Sequence, residues 1–411
     1  MPKIKPFKGI RPNAEFVNLV VLEVENLNLE TAKAIREENP YSYVNMLVPK
    51  VDNKFLRGSK RELAYKKINE NFEEFLDEGI LIRDPKDAHY IYEVNHMGIT
   101  QTGIWTSTCI DDYLNNTVKK HELTRADREN ALIDYLQQTG VDANPVLITY
   151  PKDATISSII EKGTSRKADL DFLTQEGTHR LWKIDDETEV NELSRAFGAL
   201  SVTYIADGHH RAAAASLLGI ERRKLNLKHT GREEYNYFTS VYMAADQLKI
   251  YEFHRLIKDI GKNSKEQFLS LLSVDFEVSD SVKPVKPCRL HEFGMYLHDS
   301  WYHLTALPHT FRKDSPVADL DVTILQDYLL DPILKIADPR TDARIVCVGG
   351  ITPIDDLITS VDSGDFAVAF SLFPTSIEQL IRVADAGEVM PPKSTWFEPK
   401  FQSGLVIHEI N

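Results

Sequence analysis

Ser201-Val-Thr-Tyr-Ile-Ala-Asp-Gly-His-His-Arg-Ala-Ala-Ala-Ala-Ser-Leu-Leu218 changes character twice. Residues 201–206 are rich in β-branched and aromatic types, Asp207-Gly208 is turn chemistry, and the alanine run after His209 has near-maximal helix propensity. The pattern predicts a short strand, a sharp turn and a helix. A helix starting there offers unpaired backbone N–H groups and the positive end of its dipole to a phosphate or carboxylate. Gly208 can take φ > 0 and admit a ligand close to the backbone, and Arg211 brings a planar fork suited to two phosphate oxygens. Two other readings stand beside this anion cradle. Asp207 can be a plain N-cap with His209, His210 and Arg211 solvated in the first turn. The paired histidines can also be read as metal ligands, which fits poorly, because adjacent helical residues point about 100° apart whereas metal pairs use i, i+4.

Outward from this stretch, 411 residues exceed one ordinary core, and two or three domains are expected. A hydrophobic content of 42% with 27% charged residues is that of a globular chain. The formal net charge of −14 argues against generic nucleic-acid binding, which needs a basic face. Cys109, Cys288 and Cys347 stand apart with no CxxC, suggesting neither a zinc site nor a disulfide framework, and a cytoplasmic setting is expected. No signal-peptide core or long apolar run is present, so no membrane partner is expected.

Taken in order, strands are expected over 16–24 and 41–49, with helical spacing over 29–38 and 61–78. Further strands are expected over 89–94 and 98–110, the latter with Gly103 as a kink or bulge. A charged helix over 125–138 ends at Gly140 before a strand over 145–150. The charged, weakly periodic segment 151–195 reads as an insertion whose one strand-like piece is 178–184. Beyond the central stretch, strands are expected over 236–244, 343–348 and 366–373, and helices over 264–273, 319–334 and 377–386. The fold class is α/β in a mixed α+β sense. The expected divisions are an N-terminal α/β domain over 1–97, a core over 98–235 that carries the central stretch, and a C-terminal α/β domain over 236–411.

Gly208-His-His-Arg211 resembles the Gly-x-x-Arg motif of the ParB/sulfiredoxin superfamily, and Asp207-Gly-His-His-Arg211 is most similar to its free serine kinase branch. That branch also carries a His-Glu pair, a helix, a Gly, an Asn-Pro and a strand ahead of the motif. This chain has His121-Glu122, the helix, Gly140, Asn144-Pro145 and residues 146–148 in that order. Over nearly its whole length the chain further resembles a bacterial and archaeal family, domain of unknown function 1015. Pro6-Phe7-Lys-Gly-Ile-Arg-Pro12, Asn39-Pro40-Tyr-Ser42, Gly79-Ile-Leu81, His254-Arg255, Met390-Pro-Pro-Lys-Ser-Thr395 and Pro399-Lys400 carry that resemblance, together with the two motifs above. The early Pro-Pro-Tyr-Asp-Val element of such proteins has no counterpart between 16 and 40.

The resemblance implies a ParB/sulfiredoxin-like core with α/β additions, binding ATP or ADP (another nucleotide stays open) with Mg²⁺ and a small hydroxyl-bearing substrate. A free amino acid such as serine is one such acceptor, and a homodimer stays open. Gly208, His209, His210 and Arg211 would hold phosphates, with His209 or His210 donating to the transferring group. Asp207 would meet Mg²⁺ or orient a histidine, since its own charge repels phosphate. Glu122 is the candidate base and His121 its orienter. Lys393, Ser394, Thr395 and Lys400 lie in a proline-restricted loop that suits either a second wall of the site or a structural lid. Plainer readings make Glu122 a helix-start carboxylate, His121 a surface histidine, His254-Arg255 an edge cap, and Trp105, Trp182 and Trp396 packing residues. A ParB-like nucleotide switch and a non-catalytic interaction protein are the alternatives.

Overall fold

The computed structural model describes residues 1–24, 27–47, 59–96 and 98–411. The chain is a mixed α/β protein of two compact units, Met1–Leu248 with Pro399–Asn411, and Lys249–Glu398. Among the described residues, the first unit is built on a nine-stranded sheet. Its strands are β1 (Ile4–Lys5), β2 (His89–His96), β3 (Ile99–Cys109), β4 (Val118–Lys119), β5 (Val146–Tyr150), β6 (Leu170–Thr174), β7 (Gly177–Ile184), β8 (Thr203–Asp207) and β9 (Tyr237–Ala244). The order is β4-β8-β5-β9-β3-β2-β7-β6, with β1 added beside β3. Pairing is antiparallel except for β8 with β4 and β9 with β5.

Four helices matter here, α1 (Ala126–Thr139), α2 (Ala154–Thr164), α3 (Glu187–Ala199) and α4 (His209–Leu225). Helix α4 buries Ala212, Ala215 and Leu218 in the same core cluster as Ile148 of β5 and Ile205 of β8. Alanine at those positions lets the helix approach the sheet closely. Ile205 and Leu218 are 0% and 2% exposed, so truncating either costs about 2–5 kcal/mol and loosens the turn between them.

Gly103 does not kink β3: its register is unbroken against both β2 and β9. A Cβ there would sit 2.7 Å from the Tyr242 carbonyl oxygen, so close approach of β9 explains the glycine. The apolar run over 16–24 forms a short helix, Val17–Val20, rather than a strand. Its polar residues, Asn18 and Glu23, do not set up a two-residue alternation that would enforce extension, and the Val20 and Val21 N–H groups bond back to Phe16 and Val17. Over 41–49 the Ser42 hydroxyl accepts from the Val44 N–H and starts a 3-10 turn, Tyr43–Met46. Positions 48–49 of that expected strand lie outside the described residues, as does the expected boundary at 97.

Segment 151–195 folds into α2, β6, β7 and α3. Asp153 caps α2 and Asp186 caps α3, each accepting two backbone N–H groups, and β6 and β7 form a hairpin that extends the main sheet past β2.

The second unit carries an antiparallel sheet of β10 (Phe253–Ile257), β11 (Phe276–Ser281), β12 (Glu292–Leu297), β13 (Ser300–Ala306), β14 (Ile345–Gly349) and β15 (Val368–Leu372), ordered β11-β13-β12-β15-β10-β14. Within the expected helix 319–334, Asp321–Leu325 is α-helical and Gln326–Leu330 widens to a π turn. No described helix is long and apolar enough to cross a membrane.

Candidate functional site

Strand β8 ends in a register shift between Ile205 and Asp207, and the chain turns through Gly208 at φ +97° into α4. The helical ladder opens with the Arg211 and Ala212 N–H groups, both bonding to the Gly208 carbonyl at 2.9 and 3.1 Å. Arg211 folds back over the turn. One guanidinium N–H donates to the Pro145 carbonyl, and Nη2 lies 3.5 Å from Asp207 Oδ2. The Asn144-Pro145 element ahead of β5 therefore supplies the acceptor that fixes this arginine.

Asp207 Oδ2 also meets Lys400 Nζ at 3.6 Å. Desolvation in the crowded turn pushes the Asp207 carboxyl up, but Lys400 and then Arg211 outweigh it and hold the group down at about 2. Asp207 is an ion at any physiological pH. Its partner Lys400 was legible in the sequence only as part of a stiff tail; nothing local says that the tail returns to this turn.

The expected His121–Glu122 pair reaches the same turn through His209. That ring is 2% exposed, and its Nε2 accepts the His121 backbone N–H at 3.5 Å. The proton of the neutral ring is then on Nδ1, which lies 3.4 Å from Glu122 Oε2. Burial, reinforced by the neighbouring His121, holds His209 well below the usual imidazole range. Both ring nitrogens thus have partners inside the protein.

His121 is 3% exposed, stands edge-on to His209 with centroids 4.4 Å apart, and its Nδ1 is buried with no hydrogen-bond partner. Burial lowers it to about 4, so it too is neutral near pH 7. His210 is turned the other way: its Nε2 accepts the Arg125 N–H at 3.1 Å, at the start of α1. The plain reading of His121 as a surface histidine does not hold, and Glu122 stands ahead of Ala126, where α1 opens.

Lys393, Ser394 and Thr395 belong to the second unit, where the loop is tied by its own backbone. Lys393 sits at φ +57°, its carbonyl accepts from Arg255 at 3.0 Å, and its ammonium lies over the Phe253 ring. Arg255 is 3% exposed and donates to the Phe253 carbonyl as well, so it clamps this loop. The Ser394 hydroxyl is given to the Pro391 carbonyl. His254 of the same strand accepts the Leu372 N–H at 3.4 Å and presents its other nitrogen 3.6 Å from the buried Glu252 carboxylate.

Among the described residues no group of three or more His, Cys, Asp or Glu is arranged to hold a metal ion. A single ionised carboxylate such as Asp207 nevertheless suits Mg²⁺, which is commonly bound by one or two carboxylates together with substrate phosphates. A surface hollow of about 830 Å³ along the helix Ser59–Asp77 is lined by Glu62, Glu70, Glu73, Glu74, Asp77 and Glu78. Six carboxylates would repel a phosphate, so the hollow does not suit an anion.

Fold and site together define a mixed α/β protein with a strand-to-helix turn where two cations share one carboxylate and a buried histidine holds a second carboxylate beside them. The chain belongs to the family described as protein of unknown function (DUF1015), which it matches over residues 4–323. No functionally curated protein matches it. Among solved structures it is similar to a mutant free serine kinase in complex with AMP, at 14% identity and a TM-score of 0.36, covering 73% of this chain and 88% of that one. A mutant free serine kinase in complex with ADP gives the same four values. A conserved hypothetical protein from Pyrococcus furiosus aligns at 14% identity and a TM-score of 0.33, covering 73% and 91% of the two chains.

Proposed function

We propose that the protein is a nucleotide-dependent phosphotransferase acting on a small hydroxyl compound. The observation that carries the reading is the convergence at one turn of a phosphate-type cradle and an oriented carboxylate. Gly208 and Arg211 supply the cradle, and His209 holds Glu122 next to it. The motif resemblance of Asp207-Gly-His-His-Arg211 points to a nucleotide as the anion.

Phosphoryl transfer asks for positioned phosphates, neutralised charge and an acceptor for the hydroxyl proton. The α4 N-terminus and the Arg211 fork hold the donor phosphates. Glu122 takes the proton of the substrate hydroxyl as that oxygen forms its bond to phosphorus. The bond from phosphorus to the leaving nucleotide oxygen breaks, and the electron pair stays on the nucleotide. His209, neutral and fixed at both nitrogens, keeps Glu122 in place without competing for that proton. Asp207 would be the protein carboxylate for Mg²⁺, which would supply charge neutralisation for the phosphates.

A screen of small alcohols and hydroxy amino acids with ATP and ADP tests the reading. Phosphorylated product is expected with at least one acceptor, and Glu122→Gln is expected to lower turnover about 10²–10⁴-fold while nucleotide still binds. Nucleotide loss to water alone, equal in both proteins, would contradict it and favour a hydrolysing switch.

A further inference from the structure

We infer that Arg255 and Lys393 form an anion site of the second unit, suited to a phosphate group, free or carried on a small molecule. The inference does not rest on the nucleotide reading above. Arg255 is 3% exposed, and arginine is almost never buried to that degree without a charged partner. Among the described residues it is in no ion pair. Its Nη1 donates to the Phe253 carbonyl at 2.8 Å and the His254 carbonyl at 3.5 Å, and Nη2 donates to the Lys393 carbonyl at 3.0 Å. Carbonyl oxygens take up donors but leave the positive charge in place. Glu252, the nearest carboxylate along the chain, is set against His254, on the opposite face of β10 from Arg255. Burial pulls the guanidinium below its ordinary value, and among the described residues the Cys347 thiol, paired across from it on β14, is the group that favours its charge.

The donors that remain suit an oxyanion. A guanidinium carries five N–H groups, and with two of Nη1 and one of Nη2 used, Nε and Nη2 each keep one. These two atoms share one edge of the fork, the kind of edge that takes two oxygens side by side. Lys393 brings a second cation. Its ammonium lies over the Phe253 ring, 5.0 Å from the centroid, and among the described residues it too is in no ion pair. Lys393 sits at φ +57°, left-handed backbone that a lysine adopts only under constraint. The constraint comes from Pro391 and Pro392 ahead of it, from the Ser394 hydroxyl donating to the Pro391 carbonyl at 2.5 Å, and from the Thr375 hydroxyl donating to the Ser394 carbonyl at 3.3 Å. Because Arg255 also bonds the Lys393 carbonyl, the lysine stem starts from a fixed point beside the arginine. Two cations without a carboxylate match the nearly double charge of a phosphate at neutral pH better than the single charge of a carboxylate.

The test is calorimetric titration of inorganic phosphate, glycerol phosphate and acetate, at one ionic strength, into the full chain carrying Arg211→Ala, so that no phosphate held at the Gly208 turn enters the count. Lys393→Gln and Arg255→Lys are added to that background, and each protein is checked by thermal melting. Saturable binding of a phosphate is expected, with acetate at least about tenfold weaker. Lys393→Gln leaves the loop backbone as it is, so it is expected to melt like its parent and to lose at least about tenfold in phosphate affinity. Arg255→Lys keeps the charge without the edge and is expected to lose as much. Tighter binding of inorganic phosphate marks the free ion as the ligand, and tighter binding of glycerol phosphate marks an ester. No saturable phosphate binding, or acetate bound as tightly as phosphate, overturns the site. So does an Arg255→Lys protein that melts earlier while Lys393→Gln binds phosphate like its parent, because Arg255 is then a clamp of the loop alone.

Discussion

Replacing Gly208 by alanine acts on the turn in two ways. The backbone there lies at φ +97°, which costs a non-glycine residue about 1–2 kcal/mol. The added Cβ would also stand 2.8 Å from Arg211 Nε, 2.9 Å from Nη2 and 3.0 Å from Cζ. The guanidinium can swing away, but it then gives up the Pro145 carbonyl, a charged hydrogen bond worth about 1.5–3 kcal/mol. Together the loss is about 2.5–5 kcal/mol, which for a unit of this size lowers Tm by roughly 5–20 °C. Nucleotide affinity should fall at least about tenfold, because the fork has moved. Gly208→Asn separates the two effects: asparagine tolerates positive φ better, so it should regain part of the stability while its Cβ still displaces Arg211. Melting curves and nucleotide titrations on the three proteins measure this. A Gly208→Ala protein that melts and binds like the parent would refute the reasoning about this turn.

His209→Ala should leave nucleotide affinity within about twofold and lower turnover about tenfold, near 1.4 kcal/mol, by releasing Glu122; steady-state kinetics with separate kcat and binding terms check it. In the second unit, burial first, with Asp319 and Glu292 adding, pushes Asp321 up to about 7. The folded state then binds one more proton than the unfolded chain between about pH 4 and pH 7, so stability falls as pH rises through that window and is level above it. The change amounts to at most about 4 kcal/mol, and Asp321→Asn should abolish it in denaturant unfolding measured from pH 4 to 8.

What the sequence revealed and what it hid divide along the range of the interactions. The β8–turn–α4 unit was legible because its determinants are local: β-branched residues, Asp207-Gly208 and an alanine run. Helix α1, strand β5 and the grouping of His121-Glu122 with the motif were also readable from residue types in order. The 16–24 and 41–49 segments were misread because apolar runs fit a strand or a buried helix equally well, and the Ser42 hydroxyl, a single cap, decided the second. The two helices of 151–195 had a usable signal in Asp153 and Asp186, each an N-cap ahead of a helical stretch, which overall charge masked. Neither Arg211 on Pro145 nor Lys400 on Asp207 had any local signature, because both depend on sheet order and on the return of the tail. The burial of His209 and the bond from the His121 N–H, which set its ring beside Glu122, had no local signature either.

The central claim is that Arg211 and the Gly208 turn hold nucleotide phosphates, and its most direct measurement is titration of ATP and ADP into the full chain and into Arg211→Ala at one fixed salt concentration. Saturable binding to the parent protein is expected, with affinity lowered at least about tenfold in the variant. Absence of binding to the parent, or identical affinity for both proteins, would contradict it.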